Sequence, residues 1–362
     1  MENPPADAPL ILPEPKSVRW GDGFLPWERA EFKIGKDGVP VGEFLSVEFA
    51  DMPQEAHDIS ISEVGIKIRA GSGRGAKLAL QTLRQIGMQS GGRGFRFAEI
   101  SDAPDLEVRG FMLDISRCKV PKLGELSRLV DMLALFKYNR LELYMEHTFA
   151  FEGHEIVWAG ASPLSPAAVR KLGEICAVAG VELVPNMNGL GHMERWLRYP
   201  EYQYLAESEA PFVDPLGTVR KYPTTLYPDG RALDFMDSLY AQLLPNFEGE
   251  NFNIGGDEPW ELGMGRSRAR CEAEGGKYGV YIAHMLGLRE RAAKYGKKVC
   301  FWADVLMQSP EYSELLPCDM TPILWGYYLD HPYEEQCSYM KGLGRDFLVA
   351  PGTSTWNSFG SR

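Results

Sequence analysis

From Arg109 onward the chain repeats one rhythm, a short apolar run followed by a loop and then an amphipathic helical run, and nothing else in the sequence restricts its fold as much. Seven runs read as strands: RGFMLDI, NRLELYME, VELVPNMN, NFNIGGDE, KVCFWADV, TPILWGYY and DFLVAPGT. Between them lie segments with helical spacing, such as LGELSRLVDMLALFKY, SPAAVRKLGEICAVAG and GVYIAHMLGLRERAAKYG. Strands alternating with helices build a parallel sheet, and seven such units point to an α/β fold of the TIM type, a (β/α)8 barrel, more than to an open doubly wound sheet. No G-x-G-x-x-G follows any of these strands, so a dinucleotide site has little support. The chain stops at Arg362, soon after the seventh run, and the barrel is therefore expected to lack its eighth βα unit or to be closed by another segment.

Before Arg109 the pattern differs. Runs such as DISISEVGIKIRA alternate apolar and polar residues as strands do, and RGAKLALQTLRQI then gives one helix with Ala76, Leu80, Leu83 and Ile86 on a single face. Residues 1–107 read as a small α+β domain, and 108–362 as the barrel domain. The formal net charge of -12 opposes binding to nucleic acid, which needs clustered cations. No apolar run is long enough to span a membrane. The N-terminal MENPPADAPLILPEP lacks the basic and apolar regions of a signal peptide, so a cytoplasmic location is expected. The six cysteines are scattered with no C-x-x-C pair, and read as buried free thiols.

Polar residues gather where the strand-like runs end, the face on which such barrels carry their sites. In NFNIGGDEPW two glycines permit close backbone approach and are followed at once by Asp257 and Glu258. On a regular strand these neighbours would face opposite ways, but past a strand end both can overhang the mouth. Two carboxyl groups held together resist ionising at once, which leaves one able to act as an acid. An isolated Asp-Glu pair would read only as a solvated strand end, and the surrounding pattern decides against that.

That pattern resembles glycoside hydrolase family 20, the β-N-acetylhexosaminidases. RGFMLDISR resembles the family's first barrel strand, NMNGLGHMERW its third-strand Gly-His loop, and NIGGDE its acid signature, while GIKIRAGSGRGAKLALQTLRQI resembles the non-catalytic domain before the barrel. LYMEHTFAFEGHEIVW and PGTSTWNS are similar to a branch distinct from the lysosomal-type enzymes. The resemblance implies exo-acting, retaining, substrate-assisted cleavage of terminal β-linked N-acetylhexosamine, with no metal or cofactor. It implies that Asp257 orients the sugar's acetamide and that Glu258 is the general acid and base. His192 would support Glu258, with Glu146 as its carboxylate partner, or His147 if the match slips by one residue. Asn188 stands where many relatives have Asp. Arg109 matches an arginine that binds sugar hydroxyls, though an ion pair between domains explains it equally. Asp114 reads as a barrel acceptor or a ligand contact. Trp302, Trp325 and Trp356 would wall the acetamide pocket, with Asp304 and Tyr327 as polar contacts.

Two other readings stay open on the sequence. One is a catalytically impaired sugar-binding homologue or fragment. The other is a metal-dependent hydrolase built on His192, Asp257, Glu258 and Glu146, which has no H-x-H or similar spacing behind it. Oligomeric state and the choice between gluco and galacto sugars are not legible.

Overall fold

A computed structural model of the chain describes residues 8–29, 33–35, 40–117, 119–215 and 217–352. Trp356 and Cys118 fall outside the described residues. By compactness the chain divides into two units, one made of Met1–Phe111, Gly124–Leu141 and Glu174–Glu182, the other of Met112–Leu123, Glu142–Gly173 and Leu183–Arg362.

In the first unit a five-stranded sheet runs in the order Ser17–Leu25, Phe95–Asp102, His57–Ser62, Gly65–Ala70 and Leu45–Phe49. The alternating run DISISEVGIKIRA forms the hairpin at its centre, with Ile59 opposite Ile68 and Ile61 opposite Ile66. The helix Gly73–Met88 is capped by Ser72, whose side chain accepts a hydrogen bond from the Arg74 amide, and it lays Ala76, Ala79, Leu83 and Ile86 against those isoleucines. Leu80, on the same face, is also buried. A continuous apolar layer between one helix face and one sheet face is the solution that both periods demand.

All seven strand-like runs form strands: Gly110–Asp114, Arg140–Tyr144, Glu182–Asn186, Asn251–Asn253, Lys298–Trp302, Met320–Gly326 and Leu348–Pro351. They lie side by side in chain order within one sheet, and the pairs from the third strand to the seventh are parallel. Helices such as Leu123–Leu135, Pro166–Ala179, Gly230–Leu243 and Lys277–Ala293 occupy the connections, which is the TIM-type barrel arrangement. Among the described residues this sheet has seven strands, and the expected absence of an eighth concerns chain beyond them.

The thiols depart in part from expectation. Cys176, Cys271 and Cys300 are buried thiols outside any disulfide, but Cys318 is exposed in the turn before the sixth strand and Cys337 is half-buried on a helix. No helix of the described residues is long and apolar enough to cross a membrane.

Candidate active site

The fourth strand ends at Asn253, four residues before Asp257, and the chain then folds back over its own tip. Gly255 and Gly256 take φ of 71° and 94°, conformations that cost glycine little. A Cβ on Gly255 would sit 2.1 Å from the Asn188 side-chain oxygen, so the third- and fourth-strand tips can approach this closely only without a side chain there. Gly191 is equally constrained, since a Cβ there would lie 2.1 Å from the Asp257 carbonyl oxygen.

Three side chains of the cluster itself, Glu146, His192 and Glu258, stand on left-handed backbone with φ of 47°, 55° and 45°. Such a conformation costs a non-glycine residue on the order of 1 kcal/mol and persists only where surroundings enforce it. The enforcing contacts are visible. The Trp196 indole donates to the Glu146 carbonyl at 3.0 Å, and the Glu258 amide donates to Asp304 Oδ2 at 3.1 Å.

His192 is the hub. Its Nε2 lies 3.1 Å from Asp257 Oδ2 and 3.3 Å from Glu258 Oε2, and its Nδ1 faces Glu146 Oε1 at 3.8 Å. Burial works against a charge on the ring, yet Asp257, Glu258 and Glu146 outweigh it and hold the His192 pKa well above the usual histidine range. An imidazolium between two carboxylates offsets the repulsion that the Asp-Glu pair would otherwise suffer. Asp257 lies deeper, with its side chain 11% exposed against 31% for Glu258. Its second oxygen, Oδ1, is buried and has no hydrogen-bond partner among the described residues.

The other residues singled out in the sequence divide clearly. Glu146 rather than its neighbour His147 turns towards His192. Burial raises the Glu146 pKa, while Arg117 and His192 pull it back, and Tyr144 donates its hydroxyl to Oε1 at 3.0 Å. His147 is buried beside Arg195 and Arg198, and desolvation and those cations depress it to about 4. Asn188 donates to the Tyr144 hydroxyl at 2.7 Å, and its own oxygen has no partner among the described residues. Burial and then Asp257 push the Asp304 carboxyl up to about 7. Asp304 also takes the Trp325 indole N–H at 3.4 Å. Trp302 packs with Tyr144, Cys300 and Ile323, and Trp325 leans on the same cluster and on the half-exposed Tyr327 at a ring distance of 5.5 Å. Burial and Asp257 push the Tyr327 hydroxyl up to about 12.

Arg109 is not part of this cluster. It precedes the first strand, and its guanidinium bonds Glu55 at 2.9 Å and the carbonyls of Lys137, Leu106 and Glu107. Arg117, three residues past the end of that strand, is the arginine at the site: it pairs with Asp114 Oδ2 at 2.5 Å and Glu146 Oε1 at 3.0 Å, and lies over the Tyr144 ring. Asp114 is thereby a structural acceptor, since it also takes the Ser116 amide and hydroxyl. Arg117 stands in the same RGFMLDISR segment, and its place after the strand rather than before it is the signal the sequence offers. Tyr144 and Trp260, the latter edge-on to His192 at 6.3 Å, join the site without any such signal. Among the described residues no group of three or more His, Cys, Asp or Glu is arranged to hold a metal ion.

The sequence model of the glycosyl hydrolase family 20 catalytic domain matches residues 107–353, and that of the same family's domain 2 matches 26–103. The chain belongs to glycosyl hydrolase family 20. A Beta-hexosaminidase of Akkermansia muciniphila is 25% identical over 336 residues, covering 83% of this chain and 64% of that protein. Hexosaminidase D of Homo sapiens is 25% identical over 240 residues, 64% of this chain and 47% of the relative. The chain thus spans less than two thirds of the length of these curated family members. Among solved structures, the Flavobacterium johnsoniae chitobiase superposes with a TM-score of 0.78 at 18% identity, covering 95% of this chain and 59% of that one. The family 20 exo-β-N-acetylglucosaminidase of Vibrio harveyi, solved with N-acetylglucosamine, gives 0.77 at 17% identity over 98% of this chain and 63% of that one.

Proposed function

We propose that this chain carries the site of an exo-acting, retaining β-N-acetylhexosaminidase in which the substrate's own acetamide is the nucleophile. The observation that carries the proposal is the state of Asp257: one carboxylate oxygen is held by His192 and the other, Oδ1, is buried and has no partner among the described residues. A buried acceptor left open costs free energy until a donor arrives, and an acetamide N–H is such a donor.

With that N–H on Oδ1, the acetamide carbonyl oxygen turns towards the anomeric carbon and attacks it. Positive charge spreads over the ring being formed, and the Asp257 carboxylate faces it. Glu258, nearer the mouth, gives its proton to the departing glycosidic oxygen and then takes one from the water that opens the oxazolinium. Two displacements at one carbon return the sugar with its original configuration. Trp302 and Trp325 offer an apolar wall for the acetamide methyl and the sugar face. The membership of family 20 supports the same reading.

Treatment of an aryl β-N-acetylglucosaminide should release N-acetylglucosamine that appears first as the β-anomer by proton NMR. Initial release of the α-anomer, or equal cleavage of the matching glucoside without the acetamide, contradicts the mechanism.

The two arginines give a sharper local test. Replacing Arg117 by Lys removes the guanidinium fork that spans Asp114 and Glu146, and kcat/KM should fall about 100-fold. Arg109→Ala should leave kcat/KM within about twofold while lowering stability by about 2 kcal/mol in urea titrations, since it breaks a half-buried pair and three carbonyl contacts. The opposite pattern would restore Arg109 to the site.

A further inference from the structure

The chain is strongly acidic, yet one rim of the site gathers cations. Arg220 lies over the Trp260 ring at 4.4 Å, Arg198 over Tyr222 at 5.4 Å and over Tyr199 at 5.6 Å, and Lys221 over the same Tyr222 ring at 5.6 Å. Arg220 is itself paired, because its Nε meets Asp214 Oδ2 at 2.7 Å. Arg198 and Lys221 form no ion pair with any described residue, although they share one ring. Like charges held together without a carboxylate between them raise a local positive potential that the fold itself does not use.

The rim is built, not loose. Glu261, next to Trp260 and 1% exposed, takes the Thr224 amide and hydroxyl at 2.7 and 2.6 Å and the Thr225 hydroxyl at 2.6 Å. Those bonds tie the loop carrying Arg220, Lys221 and Tyr222 to the segment that follows Glu258. Its position relative to the reacting groups follows from the sheet order. The aromatic wall of Trp302, Trp325 and Tyr327 comes from the fifth and sixth strands, on one side of the fourth. His192 and Arg198 come from the loop after the third strand, on the other side, and Trp260 lies edge-on to His192, which touches the acid Glu258. The acid must face the leaving group, and Trp260 with its cations stands on the His192 side of that acid.

We propose that the leaving-group side of this site selects an anionic sugar, bearing a carboxylate or a sulfate ester, through Arg198 and Lys221 around Tyr222 with Arg220 on Trp260. The inference rests on the hexosaminidase reading above. It assigns the rings to the apolar face of the leaving sugar and the cations to its acidic substituent.

The test compares three disaccharides with N-acetylglucosamine β-linked to glucuronic acid, to its methyl ester, and to a sulfated glucose, using the whole chain. The methyl ester keeps the shape and loses the charge. The acid should be cleaved with kcat/KM about tenfold above the ester, as two or three partly exposed ion pairs allow, and raising the salt from about 20 to about 200 mM should shrink the ratio. The sulfated partner distinguishes the source of the anion: a preference for it alone assigns the rim to sulfate, a preference for the uronate alone to carboxylate. Arg198→Ala with Lys221→Ala should bring the ratio close to one, and Lys221→Arg should preserve it, which a purely structural role would not require. Because the ratio is taken on one preparation, losses common to both substrates cancel. Rates within about twofold of the ester for both the uronate and the sulfated sugar in the unaltered chain overturn the inference while leaving the hexosaminidase reading intact; a preference unmoved by the double substitution also overturns it. No cleavage of any of the three overturns both.

Discussion

Glu258→Gln should reduce hydrolysis of an N-acetylglucosamine disaccharide by about 10³-fold or more in kcat/KM, while cleavage of an aryl glycoside with a strongly acidic phenol falls far less. The difference comes from what the acid does. A sugar alkoxide is a poor leaving group and needs a proton in the transition state, a contribution of about 10²–10⁴ in rate, whereas a nitrophenolate departs without one. The geometry suits a proton donor at the mouth of the site. The Glu258 side chain is the more exposed of the pair, it stands at φ 45° with its amide fixed on Asp304, and its Oε2 is 3.3 Å from the His192 ring. Glutamine preserves the shape and the contact to His192, so folding should be unaffected. Steady-state kinetics on the two substrates decide the matter, and an unchanged rate on the disaccharide would remove Glu258 from the role of acid.

Much of the architecture is legible because periodicity survives in the sequence. Ile59, Ile61, Ile66 and Ile68 alternate at a spacing of two, and the helix after them repeats at a spacing near 3.6, so a sheet face covered by a helix follows from the residues themselves. The seven barrel strands are equally plain, short apolar runs with helices between them. The cluster at the fourth strand is marked by its glycines, which register a backbone constraint directly.

What is not legible is a matter of backbone conformation and of contacts distant in sequence. Glu146, His192 and Glu258 occupy left-handed backbone, and nothing in a non-glycine residue type announces this. The contrast between the two arginines has a physical lesson. The first strand covers five residues, at about 3.3 Å per residue, between Arg109 and Arg117, and only Arg117, past its C-terminal end, pairs with Glu146. The position of an arginine relative to the strand end carries more information than its place at the start of a matching motif. Tyr144 escapes a reading of the sequence for a related reason. In an all-buried strand its residue type reads as core, and only the structure brings its hydroxyl between Glu146 and Asn188.

Asp257→Asn separates the orienting carboxylate from the acid, because its effect should not depend on the leaving group. Asparagine can still present an oxygen to the acetamide N–H, but it carries no charge to set against the oxazolinium, and a misturned amide would point N–H at N–H. Preorganised electrostatic contributions of this kind are worth roughly 3–4 kcal/mol, so kcat should fall about 10²–10³-fold on the disaccharide and on the activated aryl glycoside alike. Glu258→Gln spares the activated substrate and Asp257→Asn does not; that contrast assigns nucleophile orientation to one carboxylate and proton transfer to the other. His192 supplies an internal check. The Asp257 charge is the largest of the contributions that raise its pKa, so the substitution should shift the His192 titration seen by NMR to lower pH. If Asp257→Asn lowered the His192 pKa yet cleaved both substrates at the normal rate, the carboxylate would be a partner of the histidine alone and the acetamide would have to be oriented by another group.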